Sequence, residues 1–289
     1  MYTLNRIKEE VLRQPLRGFI VSDGDKELSR NPEKTRRNLV HSAAKSITAI
    51  GVGFALEEKL LDLEEPLSDA FRTALPSVED ACKALGGSAF AKDQIKRLEK
   101  IRLKHLLSNT SGFQSNFLTG FQRPYLKNDD WTVQCLCVPV SQEAGSEFLY
   151  NDANYYLIAK LLQKRAGQNL TEYLLPRLFA PLGIRRPTWE LDPDGDIIGC
   201  GGLLLNLDEL HRIGLLCLDR GRFGGEAVVP ENWIKTIMDE KTAVKDGLSY
   251  GYGFWCAPGY SYMFGLGGIY CFISKDSGLL ITADGLVLP

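Results

Sequence analysis

From Ala43 to Leu56 the sequence reads AAKSITAIGVGFAL, and its only polar side chains are Lys45, Ser46 and Thr48. A helix that is apolar on nearly every side belongs inside a core. The run is also too short to cross a bilayer, which takes about 20 residues. The sequence therefore predicts a buried helix that begins beside Ser42 and ends near Lys59. Whatever fold the chain adopts must wrap its other elements around that helix.

The same stretch carries chemistry. Residues three apart share a helix face, so the Lys45 amine reaches the Ser42 hydroxyl. A serine hydroxyl is inert until a base takes its proton, and a lysine in a dry pocket, its charged form disfavoured, serves as that base. A helix start also offers unpaired N–H groups and a positive dipole end to a developing oxyanion. The plainer alternative makes Ser42 an N-cap and Lys45 a snorkelling surface residue.

The 289 residues suit one large domain or two intergrown lobes. With a net charge of −2 and scattered lysines and arginines, no nucleic-acid partner is expected. The N-terminal MYTLNRIKEEVLRQPLRGF reads as an amphipathic helix without the apolar region of a secretory signal, and no later run is long enough for a membrane span. Seven cysteines without regular spacing read as free buried thiols of a reducing compartment, so the expected location is cytoplasmic. Three histidines, His41, His105 and His211, are too few for a His-rich metal site. No metal centre or cofactor is expected.

Along the chain, residues 3–13 predict a helix with Leu4, Ile7, Val11 and Leu12 on one side. Residues 16–22 predict a strand ending at the Asp23-Gly24 turn, and the polar stretch 25–40 a weak strand or loop. Pro66 stops the continuation after the central helix. The region 67–200 reads as mainly helical, with helices at 101–107, 154–166 and 171–179, and 113–149 as an irregular wall over a pocket. Helices follow at 206–218 and 230–238. Strands are expected at 251–255, 260–264, 269–274 and 279–282. Strands at both termini with helices between predict an α/β (α+β) protein. An antiparallel sheet lobe would comprise 1–66 and 201–289, with an inserted helical lobe at 67–200.

With these pieces in order, the chain resembles the serine β-lactamase-like family, which spans class C β-lactamases, D-Ala-D-Ala carboxypeptidases and related esterases. The resemblance rests on HSAAKSITAIGVGFALEEKLLDLEEPL, IRLKHLLSNTSGF, EFLYNDANYYLIAKLLQKRAG with PRLFAPLGI, GCGGLLLNLDELHRIG, YGYGFW and FGLGGIYCFISKDSGLLITADG. It implies the β-lactamase/transpeptidase-like fold: a sheet flanked by helices, an all-helical lobe, and the active site between them. It also implies that Ser42 is the nucleophile, that Lys45 is its lysine, and that Tyr150 is the tyrosine of the Tyr-x-Asn motif. In that motif the phenol, held near the lysine, shuttles the proton between nucleophile and leaving group.

Two positions depart from the family pattern. The third residue of the second motif is Asp152 rather than asparagine, and a carboxylate cannot donate unless protonated. Asp152 is expected to cap the following helix or to pair with Lys45, leaving Asn151 to supply part of the missing amide. The third motif, Lys-Thr-Gly or His-Thr-Gly in many members, is absent, and Gly265-Leu-Gly-Gly268 is the best local match. Gly265, Gly267 and Gly268 let the backbone pass close to a ligand, and an N–H of the Gly267 region would complete an oxyanion hole with that of Ser42. The cation or imidazole that binds the carboxylate of penicillins and D-Ala peptides is missing. This argues against a periplasmic β-lactamase or wall peptidase.

Other chemistries fall away. No Gly-x-Ser-x-Gly elbow occurs, and His41 would splay away from Ser42 while His105 and His211 sit inside helical patterns. The expectation is a serine hydrolase that cleaves a small-molecule ester, amide or peptide through an acyl-enzyme on Ser42, with Lys45 and Tyr150 moving the proton. The alternatives are an idle relative that binds a ligand or partner in the cleft, or a β-lactamase or D-Ala-D-Ala peptidase.

Overall fold

The computed structural model describes residues 3–24, 26–31, 35–126, 130–239, 241–274 and 276–288. Parts of two expected segments, residues 25 and 32–34 of the polar stretch and 127–129 of the wall, lie outside them. The helices are α1 Leu4–Arg13, α2 Ala44–Glu57, α3 Leu67–Ala70, α4 Leu75–Leu98, α5 Leu103–Leu107, α6 Trp131–Cys137, α7 Asp152–Ala166, α8 Leu170–Leu174, α9 Leu207–Leu218 and α10 Glu231–Met238. The strands are β1 Gly18–Asp23, β2 Lys26–Arg30, β3 Asn38–Leu39, β4 Thr188–Trp189, β5 Leu203–Leu205, β6 Arg222–Phe223, β7 Glu226–Ala227, β8 Thr242–Lys245, β9 Leu248–Tyr250, β10 Trp255–Ala257, β11 Tyr260–Gly265, β12 Ile269–Ser274 and β13 Leu279–Asp284. The mixed α/β class and the large antiparallel sheet agree with expectation.

Two compact units divide the chain: residues 1–54, 171–189 and 201–289, and residues 55–170 with 190–200. This differs from the lobes drawn at 66 and 200. Segment 171–189 joins the first unit because β4 pairs with β5 and Arg37 bonds the carbonyls of Arg185 and Arg186. Segment 55–66 joins the second because Pro66 bridges to Arg102 and the Leu103 and Lys104 N–H groups bond to Glu65 and Leu63. Segment 190–200 is held to α7 by Lys160, whose ammonium lies 2.9, 2.9 and 2.7 Å from Asp192, Asp194 and Asp196.

In the first unit eight antiparallel strands run in the order β2-β1-β13-β12-β11-β10-β9-β8, so the chain's two ends pair at β1 and β13. Strand β13 is buried along its whole length, as a strand covered on both faces must be. One face packs on α1 through Ile7 and Val11 against Phe19, Val21, Phe272 and Ile281. Each such side chain, fully buried, contributes about 2 kcal/mol. Leu12 is 47% exposed, against expectation, because it stands about 100° round the helix from Val11. The other face packs on α9. A Cβ on Gly214 would fall 2.6 Å from Cys271 Sγ and 2.8 Å from Leu280, so glycine sets that close approach.

The second unit is mainly helical. Helix α4 escapes the sequence pattern because Gly87, at φ +80°, breaks it in the middle. Gln94 of α4 holds the end of α6, donating to the Leu136 and Val138 carbonyls and accepting from Val140 N–H. The seven cysteines are free and buried, and Cys82 and Cys137 face each other with sulfurs 3.3 Å apart.

Candidate active site

Helix α2 is the expected core helix. Ile47, Ala49, Ile50 and Val52 are fully buried, and so are its polar residues Lys45, Ser46 and Thr48. A single 3₁₀ turn, His41–Ala43, leads into it, with His41 in the left-handed region at φ +49°. That turn presents Ser42, half-buried, ahead of the helix. Lys45 Nζ lies 3.2 Å from Ser42 Oγ. Lys45 is 1% exposed, which rules out the surface-lysine alternative. At this distance the pair bonds in either protonation state, an ammonium donating to the hydroxyl or a neutral amine accepting from it.

The first unit fixes this helix tightly. Trp233 donates from Nε1 to the Ala49 carbonyl at 2.9 Å, and Gly53 leaves the room its indole ring occupies. The loop after β9 also closes on α2. Gly253, at φ +81°, would place a Cβ 2.9 Å from the Lys45 carbonyl, and Ser46 Oγ donates to the Gly253 carbonyl. The glycines of YGYGF therefore serve a backbone crossing, and the strand expected at 251–255 is confined to Trp255–Ala257.

The glycines of Gly265-Leu-Gly-Gly268 lie at the β11–β12 hairpin. A Cβ on Gly265 would fall 2.1 Å from the Val40 carbonyl, so glycine lets the end of β11 lie against the segment entering the serine turn. Gly267 and Gly268 have φ of +82° and +83°. The Gly267 carbonyl accepts from Arg17 at 3.0 Å, and the Gly268 carbonyl accepts the N–H groups of Gly285 and Leu286. A cavity of about 400 Å³ beside this turn is lined by Arg17, Arg36, Asn38, His41, Leu204 and Ile269, among others.

Tyr150 lies in the second unit, half-buried, two residues before α7. Its neighbours differ from expectation. Asn151, not Asp152, is the N-cap of α7, with its Oδ1 accepting Ala153 N–H at 3.0 Å. The same oxygen accepts Phe117 N–H at 3.0 Å, and Nδ2 donates to the Ser115 carbonyl at 3.1 Å. Asn151 is fully buried, so its amide works inside the fold. Adjacent Asn and Asp compete for one cap, and the extended Asn151 backbone (φ −144°, ψ 120°) wins it. Asp152 is instead the first helical residue, where the helix dipole favours an acid, and its N–H donates to Asn116 Oδ1 at 2.8 Å.

Sequence reasoning missed Arg123. It grips Glu190 with two N–H···O bonds of 2.9 and 3.1 Å and donates to the Leu118 carbonyl, closing the 117–126 loop on segment 190–200. Burial works against its charge, yet acidic neighbours including Glu190 and Asp152 raise its pKa. Only the long spacing between an arginine and a glutamate precedes this contact in the sequence. Among the described residues no cluster of His, Cys, Asp and Glu could hold a metal ion, and no helix is long and apolar enough to cross a membrane.

The family model described as Beta-lactamase matches residues 18–283. Monacolin J acid methylbutanoyltransferase of Aspergillus terreus is 31% identical over 180 residues, covering 59% of this chain and 41% of the relative. N-acetylmuramyl-L-alanine amidase of Bacillus subtilis (strain 168) is 24% identical over 182 residues, covering 61% of this chain and 39% of the relative. The chain thus spans about two fifths of the length of these relatives. Among solved structures, one titled a putative beta-lactamase from Bacteroides dorei DSM 17855 superposes with a TM-score of 0.73 at 18% identity, covering 98% of this chain and 90% of its own. That likeness shows the fold.

Proposed function

From the premise that this chain belongs to the beta-lactamase family, we propose that it is a serine acyl-transfer enzyme, a hydrolase of an ester or amide. The observation that carries the reading is the buried Lys45 amine 3.2 Å from Ser42 Oγ. Ser42 Oγ attacks the carbonyl carbon while its proton passes to Lys45 and Tyr150. The oxyanion is held by backbone N–H groups, that of Ser42 and one in the Gly267 region. The tetrahedral intermediate collapses as the C–O or C–N bond breaks, and the shuttle returns the proton to the departing alcohol or amine. Water then adds to the acyl-enzyme by the same steps in reverse, and the acid leaves.

Transfer of the acyl group to an alcohol instead of water is the second reading, favoured by the methylbutanoyltransferase relative. The test is turnover of p-nitrophenyl butyrate, with and without an added alcohol, by wild type and Ser42→Ala. Turnover lost in the variant supports the acyl-enzyme. Ester formation in the alcohol arm supports transfer. Wild-type turnover that survives Ser42→Ala contradicts both, and ligand binding without turnover supports an idle cleft.

A further inference from the structure

Tyr150 sits between two residues whose backbone N–H groups both end on one side chain's residue. Leu149 N–H donates to the Asn109 carbonyl at 2.9 Å. Asn151 N–H donates to Asn109 Oδ1 at 3.2 Å. The backbone is thereby anchored on both sides of Tyr150 by a residue some forty positions upstream.

Asn109 is built for this. It is fully buried in the turn after α5, in the left-handed region at φ +57°, which asparagine tolerates better than most residues. Its Oδ1 also accepts Asn154 Nδ2 at 2.9 Å, and Asn154 Oδ1 in turn accepts Ser111 Oγ at 2.9 Å. Two N–H donors converge on one edge of the Asn109 amide, so that edge is the oxygen; the flipped amide would set donor against donor. The opposite edge, Nδ2, is buried with no hydrogen-bond partner among the described residues. A buried donor left unmade is unfavourable. The turn carries that disadvantage in return for an acceptor that joins the Tyr150 backbone to α7.

We propose that Asn109 is the positioning residue for Tyr150, fixing the direction of the phenol through the Leu149 and Asn151 peptide groups and, through Asn154, to the first turns of α7. The inference rests on the proton-shuttle role proposed for Tyr150. Asn109 takes no part in bond making. Its loss acts on the transition state, since a shuttle displaced by about 1 Å costs up to about 10²-fold in rate.

The test is steady-state hydrolysis of p-nitrophenyl butyrate by Tyr150→Phe, Asn109→Gly and Asn109→Asp, with thermal melts of each. Glycine keeps the left-handed backbone and the bond from Leu149 but deletes Oδ1. Asn109→Gly is expected to lower kcat by about tenfold or more with KM changed less than about twofold. Asn109→Asp restores the acceptor and is expected to recover kcat to within about threefold of wild type. A folded Asn109→Gly protein with wild-type kcat, while Tyr150→Phe is crippled, overturns the positioning role and leaves the shuttle standing. Wild-type kcat in Tyr150→Phe overturns the shuttle and the positioning role with it. If Asn109→Gly does not fold, Asn154→Ala carries the test by freeing the Asn109 amide. A fall in kcat at constant KM supports the proposal, and unchanged kcat overturns it.

Discussion

The two units hold their chemical groups by different physics. In the first, Ser42 and Lys45 stand three residues apart across the 3₁₀ turn that leads into one helix, and that local geometry brings them to 3.2 Å. The rest of that unit keeps the helix dry and in place. In the second, the backbone around Tyr150 is held by residues distant in sequence. Its backbone is fixed by Asn109, and the cap after it by residues 115–117, so several side chains must agree. A local device depends on one helix forming, whereas a distributed one is open to change at each of its partners.

Perturbations sharpen that difference, beginning with the largest effect. Lys45→Ala removes the proposed base of the local device and should lower ester turnover by about 10²–10⁴-fold, measured as kcat/KM. A loss below tenfold would mean that the pair is not the working unit.

The second prediction concerns pH and the frame behind α2. His211 on α9 is buried between Ser22 Oγ at 2.9 Å and Thr282 Oγ1 at 2.8 Å. Burial pushes its pKa down from 6.5 to about 4. The unfolded chain therefore binds a proton that the folded chain refuses. Stability from this group is full above pH 6.5 and is lost as pH falls towards 4, by about 3 kcal/mol in all. Thermal melts at pH 7 and pH 4.5 should show the drop, and His211→Gln should flatten it.

Gly265→Ala sets a Cβ 2.1 Å from the Val40 carbonyl, so β11 or the serine turn must shift. A loss of about 2 kcal/mol in urea unfolding is expected, as for other overpacked sites, with slower ester turnover. Unchanged stability and turnover would show that the contact does not hold the turn. The smallest effects are expected at the start of α7, where Asn151→Ala deletes the cap and should cost about 1–2 kcal/mol by the same measurement. Asp152→Ala should cost less, because Asp152 is not the cap. The reverse order would return the cap to Asp152.

This asymmetry also governs how far the sequence could be read. The apolar run from Ala43, the Ser42–Lys45 spacing and strands such as Ile269–Ser274 depend on neighbours in sequence, and they were legible. Helix α4 was hidden by the Gly86-Gly87 pair inside it, and α6 by its short Trp-Thr-Val-Gln-Cys-Leu-Cys sequence, which carries no helical period. Tyr250 to Trp255 alternates aromatics and glycines like a strand, yet Gly251 is there because a Cβ would fall 2.3 Å from the Ile237 carbonyl. Asn109 stood within Asn-Thr-Ser-Gly, which reads as a helix break; its bonds to residues 149–154 exist only in the folded chain.

The central claim is that Ser42 is an activated nucleophile. The most direct measurement is intact mass after incubation with a fluorophosphonate, for wild type and Ser42→Ala, followed by peptide mapping. The account predicts one adduct on wild type, mapped to Ser42, and none on the variant. No adduct on folded wild type, or an adduct on another residue that persists in Ser42→Ala, would contradict it.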